Sequence, residues 1–117
     1  RTTRILAPVP AGVNCSGTLG AGCRALTISY ATSTTATADG GDPATWGDYN
    51  GRISSISMSL NGAAPVEVAR YKFDTTGRLR QEYDPRLDSA GGGHVATLYW
   101  YTSENRVLGY IPLAEET

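Results

Sequence analysis

The sequence predicts an all-β protein, built from antiparallel β-hairpins that form a curled sheet or a small sandwich. Three observations favour this class. No stretch repeats apolar residues at helical spacing over three turns, short segments alternate between apolar and polar residues, and Gly, Asn, Asp and Pro separate those segments. The 117 residues fit one domain over 1–117, or a fragment of a longer repeat array.

Alternation predicts two strands in the first half of the chain, over 24–31 and 53–60. In each strand the large apolar side chains share one face: Leu26, Ile28 and Tyr30 in the first, and Ile56, Met58 and Leu60 in the second. Ile53 is out of phase with the second set. A β-bulge at Ser54-Ser55 would bring Ile53 onto the same face.

The segment between these two strands is rich in small and polar residues. A Thr/Ser/Ala tract over 32–39 either extends the first strand or begins a loop, and the glycine-rich segment 40–49 is predicted to be a loop. After the second strand, Asn61-Gly62 is a strong turn signal because both residues tolerate positive φ. The next strand is therefore expected to return beside the second one.

Two further hairpins are predicted in the second half of the chain. Their strands cover 66–73 with 78–83, and 95–101 with 106–111. Pro85 and Pro112 are expected to end the returning strand of each hairpin, because proline lacks the backbone N–H that a strand ladder needs. Simple alternation places Arg78, Arg80 and Glu82 together on the solvent face of the strand over 78–83.

One pattern occurs at three turns: an Asp-like residue, two variable residues, a Gly-like residue, Arg and an aliphatic residue. The copies are Asp48-Tyr49-Asn50-Gly51-Arg52-Ile53, Asp74-Thr75-Thr76-Gly77-Arg78-Leu79 and Thr102-Ser103-Glu104-Asn105-Arg106-Val107. The first side chain can accept a hydrogen bond from a backbone N–H two or three residues on, and Gly or Asn adopts the left-handed conformation. Arg then begins the returning strand on the solvent face, and the aliphatic residue points inward.

Aromatic residues two positions apart precede the second and third turns. These are Tyr71 and Phe73 in the second copy, and Tyr99 and Tyr101 in the third. Residues spaced by two share one face of a strand, so each pair is expected to lie on one side of the sheet. We expect the rings to form a ladder against neighbouring hairpins.

Residues 71–79 read Tyr-Lys-Phe-Asp-Thr-Thr-Gly-Arg-Leu. This segment resembles the YD repeat, Tyr-x-Tyr-Asp-x-x-Gly-Arg-Leu, of Rhs and teneurin-type proteins, and the strongest resemblance covers 71–86. A weaker likeness to large actinobacterial Rhs-associated proteins spreads over about 22–107 and rests on residues 22–30 and 46–49. Degenerate copies of the repeat lie near 48–53 and 99–107. The third copy departs most from the pattern, since Thr102 replaces Asp and Asn105 replaces Gly. The Asp-Pro-x-Gly segment of the family's autoproteolytic terminus is absent.

The resemblance implies a structural role and no chemistry. In this family long arrays of β-hairpins spiral into a hollow shell that encloses a toxin domain or forms part of an adhesive ectodomain. It implies a bacterial protein that is secreted or displayed at the cell surface, whose partners are the flanking repeats of its parent chain. We expect this chain to be an excised piece of a longer protein.

Cys15 and Cys23 flank a flexible segment that would let them meet. A disulfide between them would close a short loop and contribute roughly 2–3 kcal/mol in the chain-entropy model, and it would indicate an oxidising compartment. Two separate reduced thiols are the alternative. Two cysteines without a nearby histidine make a poor zinc site.

No residue set in the sequence has the spacing of a catalytic or metal-binding site, so we expect no enzyme, cofactor or metal. His94 has no triad partner placed by motif, and Asp39, Asp42, Asp48 and Asn50 match no calcium loop. The formal charge of −1 and the dispersed arginines do not favour nucleic-acid binding, and no apolar run approaches the length of a membrane span, so we expect no membrane insertion.

A binding module is the alternative from another functional class. It would recognise a carbohydrate or a protein partner with the 40–49 loop and exposed aromatic residues. Its candidate residues are Trp46, Tyr49 and Trp100. The competing interpretation is that these rings cap the edges of a small core.

Overall fold

The computed structural model describes residues 1–91 and 93–116. Seven strands form one open antiparallel sheet in which every strand pairs with its sequence neighbour. They are β1 (Arg4–Leu6), β2 (Arg24–Tyr30), β3 (Ile53–Leu60), β4 (Val66–Phe73), β5 (Leu79–Tyr83), β6 (His94–Tyr101) and β7 (Val107–Glu116), and single 3-10 turns cover Pro43–Thr45 and Pro85–Leu87. The all-β prediction is confirmed, and the sheet is one layer rather than a sandwich.

Bulges decide which residues share a face of this sheet. Ser29 pairs with Ser55 and Tyr30 with Ile53, so the bulge predicted at Ser54-Ser55 is confirmed. A bulge that the alternation of residues does not predict lies in β5. Phe73 pairs with Leu79 and Lys72 with Gln81, which leaves Arg80 as the extra residue of β5.

The bulge at Arg80 corrects the alternation predicted for 78–83. Gln81 and Glu82 pair with Lys72 and Tyr71 of β4, so these two residues take opposite faces after the extra residue. Arg80 therefore does not share an exposed face with Glu82. The physical reason is that one inserted residue reverses the face of every side chain that follows it.

The two faces of the sheet differ in how they are covered. One face, here called the covered face, carries most of the buried residues of the strands: Ala25, Ser55, Ser59, Gln81, Ala96 and Leu98. Phe73 is buried on the opposite face, beside Tyr71 and Leu79. The opposite face, here called the open face, carries the aliphatic side chains of β2 and β3. Ala25 is 4% exposed whereas its neighbour Leu26 is 37% exposed. Val107, the aliphatic residue of the third turn copy, is 55% exposed, so the expectation that it points inward is wrong.

Two loops lie over the covered face. At one end, Arg4 pairs with Thr27 and its guanidinium donates to the Gly17 carbonyl at 3.1 Å, which places the disulfide-closed loop on this side. At the other end, the segment between β2 and β3 brings Trp46 against Ala96 and Leu98. Neither loop belongs to a regular strand, so small strand residues are buried under irregular chain.

The two outermost strands differ most from the predictions. β1 was not predicted, and it pairs with β2 over three residues. β7 continues to Glu116 although Pro112 was expected to end it, and the register of β6 and β7 shifts between Ala96 and Leu98. Pro112 lies in this irregular stretch of a strand at the edge of the sheet, where a missing N–H disrupts little of the ladder.

Candidate functional site

The second copy of the turn motif contains a carboxylate that is entirely removed from solvent. Oδ1 of Asp74 accepts hydrogen bonds from the backbone N of Thr76 (2.9 Å) and of Arg78 (3.1 Å) and from Oγ1 of Thr76 (2.6 Å). Oδ2 accepts from Nε of Arg78 and Nε of Arg80, both at 2.8 Å. Asp74 is 0% exposed. Gly77 donates its N–H to the Asp74 carbonyl and has a φ of 83°, as the turn chemistry predicts.

These contacts keep Asp74 ionised. Burial by itself would raise the pKa of the carboxyl, but hydrogen bonds from Thr76, Arg80 and Arg78 outweigh burial and lower the pKa from 3.8 to about 2. A buried charge is tolerated only where it is paired and hydrogen-bonded. Asp74 meets both conditions, so its function in this turn is structural.

The two arginines extend this network to a loop far away in sequence. Nη2 of Arg78 and Nη2 of Arg80 both donate to the Asp39 carbonyl, at 2.9 and 2.7 Å. The guanidinium of Arg80 also lies over the rings of Trp46 and Tyr101, at 5.9 and 5.0 Å from their centroids. The loop over 39–46 is thereby held against the second turn.

The expectation that Arg80 faces solvent is wrong, because the residue is 4% exposed. Arg80 is the extra residue of the β5 bulge, which turns its side chain under the 39–46 loop. The charge is compensated by Asp74 and by carbonyl oxygens. Arg78 is more exposed than Arg80, and it makes the same kind of contacts.

The third copy of the motif forms the same turn without a carboxylate. Oγ1 of Thr102 accepts from the backbone N of Glu104 and of Arg106, both at 3.2 Å. Asn105 donates its N–H to the Thr102 carbonyl and has a φ of 63°. Thr and Asn thus reproduce the acceptor and the left-handed residue of the second copy. Nη1 of Arg78 donates to Oδ1 of Asn105 at 3.0 Å, which joins the two turns directly.

The first copy forms a different turn. Gly51 has a φ of 85°, but the closing hydrogen bond runs from the Arg52 N–H to the Tyr49 carbonyl. Asp48 pairs instead with the preceding segment, since its carbonyl accepts from the backbone N of Thr35 and its own N–H donates to Oγ1 of Thr35. The predicted role of Asp48 as the side-chain acceptor of this turn is therefore replaced by a backbone role.

The aromatic residues proposed for ligand binding do not form one surface. Trp46 is 6% exposed, and its Nε1 donates to the Gly40 carbonyl at 2.9 Å. Its ring meets Trp100 edge-on at 6.4 Å between centroids, above Ala96 and Leu98. The expectation that Trp46 is an exposed binding residue is wrong, since it belongs to the core. Tyr49 lies elsewhere, beside Arg52 and Gly77.

The aromatic pairs of the second and third copies are also arranged differently from the predicted ladder. Tyr71 and Phe73 lie on β4, and Tyr99 and Tyr101 lie on β6, so β5 separates the two pairs. The hydroxyl of Tyr99 donates to Glu82 at 2.6 Å, and that of Tyr101 donates to the Leu79 carbonyl. These tyrosines bind the intervening strand through their hydroxyl groups.

A cleft of about 440 Å³ opens between the 39–41 loop and the 102–105 turn. Arg78, Arg80, Trp100, Tyr101 and Asn105 line it together with other residues of the two loops. The guanidinium of Arg78 is fixed by Asp74, and the Trp100 ring is partly exposed. Such a cleft offers hydrogen-bond donors and acceptors beside an aromatic ring.

His94 and Asp42 have local structural partners. Nδ1 of His94 lies 3.0 Å from Oδ1 of Asp88, and the His94 ring stacks on Tyr83 at 3.8 Å. Asp42 caps the 3-10 turn by accepting from the backbone N of Ala44. Within residues 1–91 and 93–116, no group of three His, Cys, Asp or Glu side chains has the geometry to hold a metal ion.

The predicted disulfide is confirmed. Cys15 and Cys23 are bonded, with a Cα–Cα distance of 5.7 Å, and both residues are buried. A disulfide is typical of proteins from oxidising compartments, which is consistent with an extracellular location. In the part of the chain that the structure describes, no helix has the length and apolar character needed to cross a bilayer.

Comparison of the chain with protein-family models, with curated proteins and with solved structures finds no match.

Proposed function

We propose that this chain is a non-catalytic structural unit of a secreted or surface-exposed β-hairpin shell of the YD-repeat type. The observation that supports the proposal most is the joining of consecutive motif copies through Arg78. This side chain binds Asp74 in its own turn and Asn105 in the next one. A repeat protein gains its stability from such contacts between neighbouring units.

The topology of the sheet is also suited to repetition. Each hairpin pairs with the preceding one, and the two outermost strands are β1 and β7. An edge strand has backbone N–H and C=O groups that a further strand can pair with. In our proposal, flanking hairpins of the parent chain pair with these two edges, and the resulting array encloses a toxin domain or forms an adhesive surface.

Hydrogen exchange tests this proposal at the edges of the sheet. The backbone amides of β1 and β7 are compared between the isolated chain and the natural full-length protein that contains it. We expect the outward-facing amides of both strands to exchange more slowly in the full-length protein, because a flanking strand would bind them. Identical exchange at both edges would contradict the proposal, and the central amides of β3 serve as the internal control.

A second candidate function is binding of a saccharide in the cleft beside Trp100. The specific observation that favours it is the placement of the Trp100 ring next to Arg78 and Asn105 in one open cleft. Sugars are recognised by an aromatic ring together with polar groups that fix their hydroxyls. The 40–49 loop contributes backbone to this cleft, whereas Tyr49 lies outside it.

A glycan array with matched variants tests the second candidate. Reproducible binding that Trp100→Ala removes and Tyr49→Ala retains would support a saccharide site in the cleft. Binding that survives Trp100→Ala, or a blank array, would contradict it. Trp46→Ala is unsuited to this experiment because Trp46 is part of the core.

A further inference from the structure

The open face of the sheet is apolar on β1 to β4. Cross-strand pairs place Ile5, Leu26, Met58 and Val66 in one row and Ile28, Ile56 and Ala69 in the next, and a polar row of Tyr71, Glu82 and Thr97 lies beyond them. Ile5 is 52% exposed and Val66 is 47% exposed. A sheet with an apolar face normally buries that face against a second layer. In this chain both covering loops lie on the other side.

The size of the molecule agrees with a missing layer. The radius of gyration is 16.6 Å, whereas a compact domain of this length has about 13.4 Å. The accessible surface is 6965 Å², whereas a compact monomer of 12.4 kDa exposes about 6,100 Å². The excess of roughly 850 Å² equals what one partner of a standard stable interface buries, about 800 Å².

The charged strand residues of the open face are suited to pairing with a second copy of the same chain. On β2 to β6 these residues are Arg24 and Glu82, which have opposite signs, and the other nearby cations, Arg1 over Tyr30 and Arg52, lie at one end of the face. Arg24 and Glu82 lie on either side of the Ile56–Ala69 pair, which joins β3 to β4 near the middle of the face. A two-fold axis that lies between the two sheets and passes over this pair would bring Arg24 of each copy toward Glu82 of the other. The formal charge of −1 per chain opposes such an association only weakly.

We infer that the open face binds the open face of a second copy of this chain, forming a two-fold dimer. The two sheets then pack with their layers about 10 Å apart, as in a β-sandwich. The rows that contain Leu26, Met58 and Ile56 form the apolar centre, and Arg24 and Glu82 form reciprocal ion pairs at the rim. The inference goes beyond the shell proposal and does not rest on it, because the shell uses the strand edges and the dimer uses the face.

Sedimentation velocity on the chain across micromolar concentrations tests the inference. We expect a monomer–dimer equilibrium between 12.4 kDa and twice that mass, 24.8 kDa. Met58→Lys introduces a charge at the apolar centre and should weaken the dimer roughly tenfold or more. The matched control is Ser57→Lys, the neighbouring residue of β3 on the covered face beside Glu67, which should leave the dimer unchanged. Circular dichroism establishes that both variants are folded.

A charge exchange separates face-to-face binding from pairing through strand edges. Arg24→Glu and Glu82→Arg should each weaken the dimer, and the double variant should regain the affinity of the original chain, because the ion pairs are reciprocal. A strictly monomeric chain overturns the inference. So does a dimer that Met58→Lys and both single charge variants leave intact, since that dimer would form through β1 or β7.

Discussion

Nε of Arg80 lies 2.8 Å from Oδ2 of Asp74, and both side chains are almost completely removed from solvent. This contact joins a β-turn to the bulge of the strand that follows it. Because Arg80 also binds the Asp39 carbonyl, the same side chain holds a loop that is 41 residues away in sequence. The Asp74–Arg80 pair therefore links the 74–77 turn to the packing of the 39–46 loop against the sheet.

Asp74→Asn should destabilise the protein by about 3–5 kcal/mol, because it leaves two arginines without their carboxylate and one of them is buried. Urea unfolding measures the change. The matched control is Asp84→Asn, which breaks the partly exposed pair with Arg86 and should cost no more than about 1 kcal/mol. Similar decreases in the free energy of unfolding of the two variants would contradict a larger contribution from the buried Asp74.

The stability of the protein should depend on pH through Asp74. Its folded-state pKa is lowered, so its contribution is present above the ordinary value of 3.8 and is lost as the pH falls toward about 2. Between pH 3.8 and about 2, the free energy of unfolding of the original protein should fall by about 2 kcal/mol more than that of Asp74→Asn. This estimate uses 1.36 kcal/mol per pKa unit. Parallel urea titrations of the two proteins measure the difference. Superimposable pH profiles would contradict the low pKa.

Gly77→Ala should destabilise the protein by about 1–2 kcal/mol, because Gly77 has a φ of 83° and L-residues pay that amount in the left-handed region. A Cβ there would also come within 3.3 Å of the Tyr49 ring. Gly91→Ala is the control, since the space around Gly91 is open. Thermal unfolding of both variants checks the prediction, which fails if Gly91→Ala is the more damaging change.

Opening the Cys15–Cys23 disulfide should lower the free energy of unfolding by roughly 2–3 kcal/mol, since the bond closes a short loop in the unfolded chain. Chemical denaturation with and without reductant measures this change. A Cys15→Ser/Cys23→Ser double variant should match the reduced protein and should not respond to reductant. A free-thiol count of two in the untreated protein would contradict the bond itself.

Features that depend on neighbouring residues were predictable. The bulge at Ser54-Ser55 followed from a break in the alternation of apolar residues, and the positive φ of Gly77 and Asn105 followed from their places in a turn. These features arise from backbone sterics and from hydrogen bonds that span four residues or fewer. The all-β class followed from the same local patterns.

Features that depend on distant segments were not predictable. Arg80 has the composition of a surface residue, and its burial follows from a bulge and from the Asp39 carbonyl. Trp46 lies in a polar, glycine-rich loop, and its burial follows from contact with Ala96 and Leu98. A single sequence contains no periodic signal for such contacts, because Trp46 lies in a loop and Arg80 lies at a bulge that breaks the alternation of β5.

By itself, the sequence indicated the strands β2 to β7, the second and third turn copies and the cysteine pair, because each is governed by interactions within a short stretch of chain. The tertiary structure decided which face of the sheet is covered. Two irregular loops lie over the face of Ala25 and Leu98, and the aliphatic face of Leu26 and Met58 stays open. Side-chain alternation specifies that a strand has two different faces, whereas long-range packing determines which of them the loops cover.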